Sequence, residues 1–180
     1  MPSVEAAVAA LTAPETWPHY ATEIGRFTPL RAGGLDGQTF EIEGTASGRP
    51  MFTRGYVTIT RLVTPDVPQA LAAWLSELQD GLARYGDDEP SAVPGGGQPV
   101  VGFDLTTHQG HFMGNGHNRL LLYTHEGNAW VRAAGTWDPM PWHIAQAYRP
   151  VGRDAQHAFW GQGNVAAQSL LHQLALRISM

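Results

Sequence analysis

At 180 residues the chain has the length of one domain, and a net charge of −5 argues against nucleic acid or an anionic membrane as its partner. All 11 cationic residues are arginines and cysteine is absent, which removes Schiff-base chemistry, a lysine general base, the lysine of a phosphate loop, thiol nucleophiles, iron–sulfur ligation, cysteine zinc sites and disulfides. Arginine is no substitute as a base, because it keeps its proton in a protein.

Codon bias accounts for arginine-only usage without any functional pressure, and the chemical exclusion holds either way. Hydrophobic residues make up 43% and charged residues 15%, the latter low against a usual value of about 25%. With 21 Gly and 13 Pro, the expectation is a loop-rich globular fold. No basic region precedes the apolar N-terminal stretch, and no apolar run approaches the ~18 residues of a membrane span. A soluble, cytoplasmic protein with no membrane association is expected.

In chain order, SVEAAVAALTA (3–13) reads as a helix, with Val4, Ala7, Val8 and Leu11 on one face. PETWPHYATEIGRF (14–27) is read as a second short helix opened by Pro14, although Pro18 interrupts it. PLRAGGLDG (29–37) is a turn-rich connector, and QTFEIEG (38–44) alternates as a half-buried strand. MFTRGYVTITRLV (51–63) is the clearest strand; strict alternation puts Val57, Ile59 and Val63 on one face, and Arg54, Tyr56, Thr58 and Thr60 on the other.

Residues 64–86 form the best helix, with Leu71, Trp74, Leu75, Leu78 and Leu82 at helical spacing. Residues 87–99 are a Pro/Gly-rich loop, expected to be flexible. VVGFDLTT (100–107), RLLLYTH (119–125) and AWVRAAGTW (129–137) supply three more strands, the last two joined by a hairpin at Glu126-Gly127-Asn128. A C-terminal helix is expected over 164–178. The predicted fold is therefore one α+β domain over residues 1–180. A single curved, mainly antiparallel sheet of about five or more strands packs against N-terminal, central and C-terminal helices.

Three constellations could carry chemistry. THQGHFMGNGHN (107–118) holds His108, His111 and His117 among glycines. Imidazoles suit a divalent transition metal, although the spacing matches no helical ligand pair; a metal-dependent enzyme is one alternative, and ordinary loop polarity the blander one. On the 100–107 strand, Asp104, Thr106 and His108 share a face, so Asp104 could orient His108 as a general base. Arg54 and Tyr56, with Trp130 and Arg132, would join that face as pocket lining. The competing expectation is a solvated outer surface.

GTWDPMPWH (135–143) sets Trp137 and Trp142 about Asp138, followed by His143, as the wall and rim of an aromatic pocket or as a cap on the core. Neither a GxSxG nucleophile turn nor a GxGxxG dinucleotide loop is present. The expected function is binding of a small, largely apolar or aromatic molecule in a cavity between sheet and helices, with or without acid–base chemistry. No cofactor is predicted, and a homodimeric interaction module is the further alternative.

Overall fold

Alternating apolar and polar residues over most of the chain dictate strands, and short polar turns between them dictate antiparallel neighbours. The computed structural model describes residues 5, 8–9, 12–19, 25–46, 49–84, 91–93, 95–109, 111 and 115–137. Its strands are β1 (Gly25–Pro29), β2 (Thr39–Ala46), β3 (Arg49–Val63), β4 (Gln98–Thr107), β5 (Gly116–His125) and β6 (Asn128–Trp137). They pair in sequence order into one six-stranded sheet, antiparallel throughout. One helix, α1 (Pro68–Arg84), connects β3 to β4.

Each face of the sheet has its own core. On the first, Phe27, Phe40, Val57, Ile59, Phe103, Leu105, Leu120 and Leu122 are buried. Trp17, in a 3-10 turn over Pro14–His19, stacks on Phe40 with ring centres 4.6 Å apart. On the second, α1 lays Leu71, Trp74, Leu78 and Leu82 against Val63, Leu121 and Tyr123. Trp74 is fully buried, and its truncation to alanine is expected to cost about 3–5 kcal/mol. The helix sits this low because two small residues admit it. Gly102 lies under the Trp74 ring, where an added Cβ would stand 2.6 Å from Cζ3, and Gly81 approaches the Ala134 methyl of β6.

A bulge in β3 sorts the faces. Ile59 pairs with Leu105 but Arg61 pairs with Asp104, so Thr60 is an extra residue opposite β4. Beyond it the alternation is inverted. Leu62 joins the Val57–Ile59 face, and Arg61 and Val63 turn toward α1. The expectation that Val63 shares a face with Val57 and Ile59 is thereby corrected; an unbroken period of two cannot anticipate an inserted residue.

The expected helix over 14–27 is also corrected. Pro18 denies it a continuous hydrogen-bond ladder. The turn therefore ends at His19, and Gly25–Pro29 pairs along β2 as a strand with Phe27 facing the core. The β5–β6 hairpin has Glu126 at φ 49° and Gly127 at φ 75° between His125 and Asn128, the turn whose twist matches two antiparallel strands. The last two residues of the expected 87–99 loop, Gln98 and Pro99, begin β4. Of the N-terminal helix only Glu5, Val8, Ala9 and Thr12 are described, all helical. The C-terminal helix lies outside the described residues.

Candidate functional site

Asp104 is 3% exposed and stands at the meeting point of β3, β4, β5 and α1. Alternation along β4 gives Phe103 and Leu105 to the first core and turns Asp104 toward the helix. There the Trp74 indole, let in by Gly102, donates Nε1–H to Oδ1 at 2.7 Å. The bulge sets Arg61 opposite, and its Nε–H donates to Oδ2 at 2.9 Å. The other two nitrogens of Arg61 bond both oxygens of Glu77 on α1, at 3.1 and 2.8 Å. Arg119 of β5 also bonds Glu77, and its Nε lies 3.7 Å from Asp104 Oδ1.

Two carboxylates thus face two guanidiniums. Burial alone pushes the Asp104 carboxyl up, but His117, Trp74 and Arg61 outweigh it and hold the group below its ordinary value. Glu77 is held down chiefly by its hydrogen bonds from Arg61. Asp104 is the member that depends on its partners, because its side chain is 5% exposed while those of Arg61 and Glu77 reach solvent.

Outward from this cluster the same face becomes a set of hydroxyls and imidazoles. His117 Nε2 lies 3.4 Å from Asp104 Oδ2, and its Nδ1 lies 3.4 Å from Thr106 Oγ1. Thr106 shares a 2.9 Å hydrogen bond with exposed Thr60. A second run joins Thr39 to Thr58 at 2.8 Å and Thr58 to His108 Nε2 at 2.6 Å. The rings of His108 and Tyr56 stand side by side, 6.3 Å between centres, and Tyr56 is 42% exposed. At the outer corner Arg54 pairs with Glu41 and Glu43 at 3.3 and 3.6 Å.

The residues singled out in the sequence are partly brought together. Asp104, Thr106 and His108 do share the helix-bearing face, yet the imidazole beside Asp104 is His117, while His108 bonds Thr58. Tyr56 and Arg54 belong to this polar half. Trp130 and Arg132 lie on the same face but at its far end, next to Tyr123 and beyond α1; Arg132 hydrogen-bonds Tyr123, and the Trp130 indole donates to the His125 carbonyl at 3.4 Å.

His111 goes to the opposite face. It is 7% exposed and packed where a side chain on Gly55 would collide with it. Burial, and secondarily the nearby His108, lower its pKa to about 4. Among the described residues no group of three or more His, Cys, Asp or Glu is arranged to hold a metal. Trp137 ends β6. Asp138, Trp142 and His143 lie outside the described residues.

Arg61, Glu77 and Arg119 were not singled out from sequence, and Thr58, Thr60 and Thr106 were placed on their faces without a role. The available signal was Trp74, since a buried indole needs an acceptor, and a charged residue inside an apolar strand such as Arg61 needs a counter-charge. Elsewhere, a shallow recess of about 560 Å³ is lined by Glu15, Pro29, Leu30, Arg31, Ala32 and Gly33 at the β1–β2 connection; it shares no residue with the polar face. Among the described residues, no helix is long and apolar enough to cross a membrane. Comparison with family models, with curated proteins and with solved structures finds no match to this chain.

Proposed function

We propose that the chain binds a small molecule on the polar half of its helix-bearing sheet face. An aromatic body would lie against the Tyr56 and His108 rings, and a polar head would meet Thr58, Thr60 and Thr106. The observation that carries this reading is His117, a partly exposed imidazole set against a buried carboxylate whose charge is already balanced. The cluster needs neither the imidazole nor the hydroxyls beyond it for neutrality, so the convergence of those groups at an exposed end suits a ligand. The space between α1 and the sheet is taken by Trp74, Leu78 and Leu121, which favours the flank of the helix on the Glu77 side over a hollow beneath it.

Acid–base chemistry is a natural extension, with His117 as the base and Asp104 fixing its tautomer. The binding reading is tested with protein carrying labelled threonine methyls, screened by NMR against a chemically diverse aromatic fragment set. Fragments that shift Thr58, Thr60 and Thr106 together are the expected result. A set that leaves all three unmoved, or moves only residues of the Arg31 recess, contradicts it.

A further inference from the structure

We propose that this site selects an aromatic cation, a ring carrying a protonated amine, with the ammonium held by Glu41 beside the Tyr56 ring. The inference rests on the binding reading above and gives it a ligand class. It follows from the way the sheet register distributes charge along β2.

Alternation sends Phe40 and Ile42 of β2 into the first core and leaves Thr39, Glu41 and Glu43 on the helix-bearing face. The two carboxylates meet different neighbours there. Glu43 lies between Arg26 of β1 and Arg54 of β3, each directly opposite it in register. Glu41 lies between Thr28 and Tyr56 and has no arginine in register. Its cation is borrowed: Arg54 Nη1 reaches Glu41 diagonally at 3.3 Å while Nη2 lies 3.6 Å from Glu43. One guanidinium thus serves two carboxylates, and only Glu43 has a second arginine across from it.

Exposure separates the two members of the borrowed pair. The Arg54 side chain is 67% exposed and that of Glu41 only 27%. An ion pair with one freely hydrated member holds weakly, so a ligand cation can take Glu41 while Arg54 keeps Glu43. The wall for that cation stands on the same rung. Exposed Tyr56 lies opposite Glu41. The His108 backbone N–H donates to the Tyr56 carbonyl at 2.9 Å, which sets the His108 ring on the far side of Tyr56. A carboxylate beside an aromatic ring recognises an organic ammonium twice, by charge and by the π face. Arg61 and Arg119 do not compete for Glu41, because both are bonded to Glu77 on α1. Thr39 and Thr58, one rung closer to Asp104, offer hydroxyls to a polar substituent on the ring.

The test titrates 2-phenylethylamine, 2-phenylethanol and 3-phenylpropanoate into the full chain at low salt while threonine methyl shifts are followed by NMR. The amine is expected to shift the Thr28 and Thr58 methyls and to bind about ten-fold more tightly than the alcohol, with the propanoate weakest. Glu41→Gln should erase the preference for the amine, whereas Arg54→Gln, which removes the competing guanidinium, should tighten amine binding. A preference that survives Glu41→Gln overturns the assignment of the ammonium to Glu41, and amine binding that fails to tighten in Arg54→Gln overturns the sharing argument. Equal affinity for amine and alcohol overturns the cation rule while leaving the binding reading in place. Failure of all three to bind also overturns the rule, and the aromatic fragment screen then decides the binding reading on its own.

Discussion

Replacing Asp104 with asparagine keeps the size of the side chain but removes the charge that Arg61 and the Trp74 indole are built around. One oxygen can still accept, whereas the new NH2 group points a donor at Arg61 or the indole, both of which donate to this position. The expected cost is about 3–5 kcal/mol, the range for breaking a buried ion pair from one side. Urea unfolding of Asp104→Asn measures it, and a loss under about 1 kcal/mol would mean that the cluster is a surface ornament. At this scale the sequence was informative in a limited way. The alternation of β4 correctly gave Asp104, Thr106 and His108 a common side. It could not give the partners, because Trp74 and Arg61 reach Asp104 from 30 and 43 positions away in the numbering, and no local period encodes such meetings.

Among the elements, β3 bears the most consequence. Its extra residue at Thr60 places Arg61 on the carboxylate and Leu62 in the first core. Deleting Thr60 would remove only the extra residue, leaving Ile59 opposite Leu105 and Arg61 opposite Asp104 on the faces they already hold. The deletion is therefore expected to keep a cooperative thermal transition, followed by near-UV circular dichroism, within several degrees of the parent. Loss of the cooperative transition would show that the bulge itself, and not only the facing of Arg61 and Leu62, is required. The strands β2 to β6 and helix α1 were legible because each has a clean period and turn residues at its ends. β1 was not, since five residues beginning at Gly25 look like the tail of a helix until their pairing with β2 is known. The bulge left no mark in the hydrophobic pattern, as Arg61, Leu62 and Val63 fit either register.

For the whole molecule, acidity acts through two buried groups in succession. His111 has an ordinary pKa of 6.5 when unfolded and about 4 when folded. Between those values the unfolded chain holds the extra proton, so stability falls as pH drops through 6.5 toward 4. By pH 5 the loss is about 2 kcal/mol. Asp104 is depressed when folded; its contribution is present above the ordinary carboxylate value and is lost as pH falls through its lower folded one. Urea midpoints at pH 7.5 and pH 5 should therefore differ for the parent and converge for His111→Gln. An unchanged gap in that variant would place the sensitivity elsewhere. The global architecture was foreseen as α+β with one antiparallel sheet, and the six-strand order bears that much out. What composition and pattern could not convey was that α1 would lie flush on the sheet, with Trp74 over Gly102 of β4 and its own Gly81 against Ala134 of β6, filling the space where a cavity was expected.

The most direct measurement of the central claim is a crystal structure of the chain with the tightest aromatic ligand from the fragment set. The expected result is density over Tyr56 and His108, with a polar group of the ligand within hydrogen-bond distance of Thr58, Thr60 or Thr106. Density seated instead in the recess beside Arg31, or beneath α1 with Trp74 displaced, would contradict it.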